Sequence, residues 1–198
     1  MSDTANNPFL TNRFDDALAY ASRIHRAQIR KGSGIPYISH LIGVAAIALE
    51  NGASEDQAIA ALLHDAVEDQ SGRARLDDIR MRFGDQVAQI VADCTDSHTE
   101  PKPAWRSRKE AYIASLAHKP PASLAVSLAD KTHNAAAINA DLHEAGSQVW
   151  SRFTGGKAGT LWYYRALADA FLSHAPGAGA RRLEREVAQM EHLAALLG

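Results

Sequence analysis

The chain has 198 residues, 46% of them hydrophobic and 22% charged, with a formal net charge of −2. Such a chain is globular and is long enough for one domain with a real core, or one domain and an appendage. The near-neutral balance excludes a protein built to coat nucleic acid, and no run approaches the roughly 20 apolar residues of a membrane span.

Residues 1–7 lack the basic and apolar regions of a signal peptide, so the expected location is cytoplasmic. Phe14, Leu18, Ala21 and Ile24 recur at helical spacing and predict a helix over 13–29. Two glycines and a proline punctuate 31–36 as a loop. Leu41, Val44, Ala45, Ala48 and Leu49 define a second helix, ended by Asn51-Gly52. Ser54 with Gln57 resembles a capping box and opens a third helix that carries His64-Asp65. Residues 70–75 read as a polar loop, 76–83 as a short helix broken by Gly84, and 85–95 as another. The single cysteine, Cys94, precludes an intrachain disulfide and reads as a small buried hydrophobe beside Val87, Ile90 and Val91. Residues 96–103 read as a surface loop and 105–117 as helix. Pro120-Pro121 opens the helix holding Leu124, Val126, Leu128, Asp130 and Asn134. Trp150 and the run 161–172 indicate two more helices.

After a flexible break at 176–180, Leu183, Val187, Met190, Ala194 and Leu197 form a helical stripe. It either folds back on the domain or supplies a coiled-coil-like contact to a second copy in a homodimer. No strand alternation persists. The expected fold is all-α, a helical bundle over 1–175 followed by a linker and C-terminal helix over 176–198.

Chemistry concentrates at Leu62-Leu63-His64-Asp65-Ala66-Val67-Glu68-Asp69. Four ionisable groups crowd the end of an apolar segment, and burying charge without a partner is very costly. On a continuous helix Glu68 lies near His64, and Asp69 near Asp65. A divalent ion is the natural partner. His40, at the head of the second helix, and Asp130 complete a set of two imidazoles and two carboxylates, which suits manganese, iron, zinc or magnesium with positions open to water. The remaining histidines, His133 among them, are expected at surfaces or in local hydrogen bonds.

The order His40, His64-Asp65, Asp130 resembles the H…HD…D motif of the HD phosphohydrolase superfamily. The blocks at 30–40 (RKGSGIPYISH), 61–69 (ALLHDAVED) and 128–134 (LADKTHN) resemble the hydrolase domain of RelA/SpoT-type alarmone enzymes over roughly residues 13–173. The small size is similar to the stand-alone small alarmone hydrolases. The resemblance implies an all-α fold and Mn2+-dependent removal of the 3′-pyrophosphate of guanosine tetra- or pentaphosphate. It implies His40, His64, Asp65 and Asp130 as metal ligands, and Glu68 and Asp69 as the acidic pair that handles the water. It also implies Arg30, Lys31, Asn134 and Tyr163 as substrate contacts. Leu41 stands where the family commonly has proline, which removes no chemical group.

A polyphosphate substrate also needs cations. Lys102, Arg106, Arg108 and Lys109 form a second basic cluster, which is either a solvated helix face or a holder of the distal phosphates. Two rival readings stay open: an HD enzyme acting on another nucleotide, such as an adenosine alarmone or the 2′-phosphate of NADPH, and a non-catalytic nucleotide sensor.

Overall fold

The computed structural model describes residues 9–69, 72–95 and 103–198, with the Asp69 side chain outside the description. Among these residues the regular structure is helical, apart from one isolated bridge between Ile29 and Pro36.

Helix α1 (Asn12–Ile24) is capped by the Thr11 side chain, which accepts from the Arg13 amide. It stops five residues short of the predicted end at 29 because the following backbone finds partners across a loop instead. The Arg30 amide donates to the Ile35 carbonyl at 2.8 Å, and the Tyr37 amide to the Gln28 carbonyl at 2.9 Å. Gly32 and Gly34 close the loop at φ +86° and +71°, a region that disfavours side chains. Helix α2 (Ile38–Glu50) follows and ends at Asn51-Gly52 as its sequence predicts.

Helix α3 (Glu55–Leu63) opens with the full capping box of Ser54 and Gln57. Residues 58–63 are all buried, the pattern of a helix surrounded by protein. The predicted continuation through His64-Asp65 does not occur. The chain turns at those two residues and resumes as the single turn α4 (Ala66–Asp69). The break points His64 and Asp65 inward while Ala66 and Val67 enter the core.

Helix α5 (Gly72–Phe83) begins earlier than predicted, so Arg73, Ala74 and Arg75 are helical rather than loop. Its polar composition masked it. Ion pairs at helical spacing support it instead: Arg80 with Asp77 at 3.0 Å and Arg82 with Asp78 at 2.8 Å. Gly84, at φ +94°, separates it from α6 (Asp85–Cys94). The expected loop at 96–103 lies outside the described residues up to 102.

Helix α7 (Trp105–Ser115) runs into a 3-10 turn (Leu116–His118). Helix α8 (Pro121–Ala145) starts on Pro121 and spans the molecule. A 3-10 stretch (Gly146–Arg152) leads to α9 (Gly156–His174) and α10 (Ala178–Leu196). The α10 stripe is covered within the chain: Leu183, Val187 and Met190 are fully buried against α8 and α9. The Asn139 amide donates to the Glu186 carbonyl at 3.0 Å, and Arg165 grips Glu184 and Glu191, fixing the helix in place.

Two apolar clusters result. One joins α1, α2, α3, α5 and α6; the other joins α7, α9 and α10. Helix α8 belongs to both, giving Val126 and Ala129 to the first and Leu128, Ala135, Ile138 and Leu142 to the second. Asp130 therefore sits on the seam between them.

Candidate metal centre and substrate cavity

Three elements converge on that seam. Helix α2 supplies His40 from its first turn, the turn after α3 supplies His64 and Asp65, and α8 supplies Asp130. His40 Nε2 lies 3.5 Å from Asp65 Oδ2 and 3.3 Å from Asp130 Oδ1. His64 Nε2 lies 3.1 Å and 3.5 Å from the same two oxygens. Donor atoms of His40, His64 and Asp65 all fall within 4.8 Å of one another. The four residues predicted as ligands are thus brought together.

The helix break explains the orientation of His64. The last carbonyls of a helix lack intrahelical partners, and His64 Nδ1 donates to one of them, Ala61 O, at 2.9 Å. Its proton is therefore on Nδ1, and Nε2 presents a lone pair to two carboxylates. That Nε2 is buried without a hydrogen-bond partner. Burial opposes charge on His64, yet Asp65 and Asp130 hold its pKa well above the ordinary value. Burial likewise opposes charge on Asp65, where His64 and His40 hold the carboxyl well below the usual range. Asp130 is depressed too: burial is overcome by the Lys131 ammonium and then by the two histidines. Positive charge is therefore favoured where these groups meet, whether a proton or a metal ion supplies it. An orphaned imidazole nitrogen with two ionised carboxylates fits a divalent ion.

The supporting contacts are equally specific. The Tyr37 hydroxyl donates to Asp65 Oδ2 at 2.5 Å. The Lys131 ammonium donates to Asp130 Oδ2 at 2.6 Å, and the Asn134 amide to Asp130 Oδ1 at 2.6 Å. His40 Nδ1 meets His133 Nδ1 at 3.1 Å, which corrects the placement of His133 at the surface. Burial, with His40 and Arg30 nearby, pushes His133 down to about 4. Sequence reasoning missed Tyr37, Lys131 and His133, although His133 lies three residues after Asp130 and so on the same helical face.

The cluster forms the floor of a cavity of about 460 Å³, within the usual size for a small-molecule site. Arg30, Lys31, Glu68, Asn134 and Tyr163, the residues expected to contact substrate or handle water, line it. Glu68 reaches it from α4, beyond the break, rather than from a helix shared with His64. The side chain of Asp69 and the whole of Lys102 lie outside the described residues. Arg30 Nη2 donates to Asn134 Oδ1 at 2.9 Å, whereas its buried Nη1 has no partner among the described residues.

The second basic cluster divides. Lys109 lines the cavity, with its ammonium 4.8 Å from the centre of the Tyr163 ring. Arg106 and Arg108 do not line it, against their reading as holders of the distal phosphates. Arg106 lies over Trp162 and pairs with Glu110, both of that pair about half exposed, and Arg108 donates to the Pro103 carbonyl. The Trp105 ring packs so closely on Gly155 that a Cβ there would lie 2.6 Å from it. Tyr164, beside Tyr163, is also a cavity wall, and burial pushes its hydroxyl up. Cys94 packs partly buried against the first apolar cluster, in keeping with its reading as a small hydrophobe, and also lines the cavity, where burial raises its thiol.

A helical bundle that closes two histidines and two aspartates in this order defines the HD class. The HD domain model matches residues 17–161, and the chain belongs to the HD domain family. Among curated proteins it is similar to human guanosine-3′,5′-bis(diphosphate) 3′-pyrophosphohydrolase MESH1, with 39% identity over 139 residues, covering 69% of this chain and 73% of the relative. The protein of the same name from Drosophila melanogaster is 34% identical, over 62% of this chain and 67% of its own length. The bifunctional (p)ppGpp synthase/hydrolase SpoT of Escherichia coli is also 34% identical, over 62% of this chain but 17% of its own. Among solved structures, that of a metazoan ortholog of SpoT that hydrolyses ppGpp matches with a TM-score of 0.73 at 26% identity, covering 94% of this chain and 98% of that one. The structure of lmo0812 from Listeria monocytogenes matches with a TM-score of 0.67 at 28% identity, covering 79% and 99%.

Proposed function

We propose that this chain is a divalent-metal-dependent enzyme that hydrolyses the 3′-pyrophosphate of guanosine tetra- and pentaphosphate, yielding GDP or GTP and pyrophosphate, with Mn2+ as its ion. The observation that carries the reading is the four-sided cluster of His40, His64, Asp65 and Asp130 on the floor of a cavity also lined by Glu68 and by the cations Arg30, Lys31, Lys109, Lys131 and Arg152. The names of relatives 34–39% identical to it support the same substrate.

His40, His64, Asp65 and Asp130 would hold the ion, which supplies Lewis acidity toward phosphoryl oxygens and lowers the pKa of water. Water attacks the phosphorus bonded to the ribose 3′-oxygen, the bond between them breaks, and the water's proton ends on the products. Glu68, on the cavity wall, would accept that proton, a role worth roughly 10² to 10⁴ in rate, with Asp69 as its partner in the acidic pair. The free Nη1 of Arg30 aims a fixed guanidinium at the phosphates, and Lys31 and Lys109 add charge along the cavity. Asn134 holds Arg30 and Asp130 in register. Tyr163 and Tyr164 offer faces to the base.

Product analysis tests the reading. Purified protein with Mn2+ and guanosine tetraphosphate is expected to release GDP and pyrophosphate in equal amounts. Release of orthophosphate alone, or preference for an adenosine alarmone or NADPH in the same panel, overturns the substrate assignment, and no turnover of any nucleotide leaves the sensor reading.

A further inference from the structure

A neutral imidazole carries one proton. His40 faces both carboxylates through Nε2, so to act as a ligand it must keep its proton on Nδ1, and that proton needs an acceptor. His64 meets the same need with a backbone carbonyl. Among the described residues, no carbonyl meets His40 Nδ1 in that role. Its Nδ1 faces His133 Nδ1 at 3.1 Å, with the two rings edge-on at 66° and 4.8 Å between centres.

The position of His133 is itself built. Gly43 lies one turn after His40 on α2, and His133 one turn after Asp130 on α8. A Cβ on Gly43 would stand 2.3 Å from both Cδ2 and Nε2 of the His133 ring. Gly43 is not at a turn and its backbone needs no glycine, so the missing side chain serves the ring packed on it. An alanine there would push His133 off His40.

We propose that His133 is a positioning residue for the metal centre: seated on Gly43, it accepts the Nδ1 proton of His40 and so fixes the tautomer and aim of that ligand. The inference rests on reading the cluster as a metal site. It makes His133 the counterpart of the Ala61 carbonyl, with an imidazole in place of an oxygen. His133 then carries its own proton on Nε2, the atom turned toward Gly43.

The test is Mn2+ affinity of the full chain, read by competition with a chromogenic chelator. Far-UV circular dichroism checks the fold of each variant. Outer partners of ligating histidines typically affect affinity by 10- to 100-fold, so His133→Ala is expected to weaken Mn2+ binding by about that much, Gly43→Ala to weaken it similarly, and His133→Asn, whose side-chain oxygen can accept the same proton, to stay within about threefold of wild type. Wild-type affinity in His133→Ala overturns the proposal, as does an asparagine variant no better than alanine. A wild-type protein that binds no Mn2+ overturns the metal site itself. A reading free of variants comes from the protein loaded with diamagnetic Zn2+. A long-range 1H–15N spectrum is expected to show His133 protonated on Nε2; protonation on Nδ1 forbids the acceptor role and overturns the proposal.

Discussion

Arg30 donates to the side-chain carbonyl of Asn134 at 2.9 Å, across 104 residues of chain. The other end of the same amide donates to Asp130 at 2.6 Å. One side chain thus ties the cation of the α1–α2 loop to an acid of the metal cluster. Hydrogen bonds to charged groups contribute about 1.5–3 kcal/mol, so Asn134→Ala should lower kcat/KM for guanosine tetraphosphate by about tenfold or more. Steady-state kinetics at saturating Mn2+ check this, and an unchanged kcat/KM would separate Asn134 from the site.

Glu68→Gln keeps size and polarity but removes the proton acceptor. The expected loss in kcat is roughly 10² to 10⁴, with Mn2+ affinity near wild type because Glu68 is not among the four clustered ligands. Calorimetric titration of Mn2+ beside the kinetic assay distinguishes this from a damaged metal site. Loss of metal binding together with turnover would make Glu68 a ligand.

On α7 the cavity selects one cation out of three. Lys109→Ala should raise KM for the tetraphosphate by about tenfold, the equivalent of a charge-assisted contact. The double variant Arg106→Ala, Arg108→Ala should leave KM close to wild type, since Arg106 is engaged with Trp162 and Glu110 and Arg108 with a backbone carbonyl. The reverse ranking would mean that the distal phosphates lie outside the cavity.

Much of this was legible in the sequence because it was written in local signals. The capping box at Ser54, the stop at Asn51-Gly52 and Pro121 at the head of α8 are short-range rules, and the helices obey them. The four clustered residues His40, His64, Asp65 and Asp130 were legible as a spaced motif. What was hidden depended on tertiary context. The break at His64-Asp65 cannot be read from an apolar run that suits an uninterrupted helix, yet it frees the Ala61 carbonyl that orients His64. The first turn of α5 was concealed by its polar composition; Arg75 pairs from it with Asp78 at 3.7 Å, one turn on. Arg106 and Lys109 look alike in sequence; only the packing of α7 shows that Lys109 lines the cavity while Arg106 lies over Trp162. His133 was expected at the surface or in a local hydrogen bond because nothing local announces a partner on another helix, His40, or a glycine there that leaves room for its ring.

Acid should act through the clamp between α1 and α5. The Tyr20 hydroxyl donates to Asp78 at 2.5 Å and accepts from Arg75 at 2.7 Å. That hydrogen bond, with Arg82, holds the Asp78 carboxyl below its ordinary value against partial burial. A carboxyl depressed in the folded state stabilises it above the unfolded pKa of about 3.9, and that stability is lost as pH falls through the lower folded value. Tyr20→Phe should therefore cost about 0.5–1.5 kcal/mol near neutrality, with the gap to wild type narrowing as pH drops below 3.9 or so. Urea unfolding across that range checks it; a gap independent of pH would show that the hydroxyl does not act through the Asp78 charge.

The most direct measurement is anomalous scattering at the manganese edge from crystals grown with Mn2+. A single strong peak touched by His40, His64, Asp65 and Asp130 is the predicted result. A peak held by other side chains, or those four residues in place with no peak among them, would contradict the account.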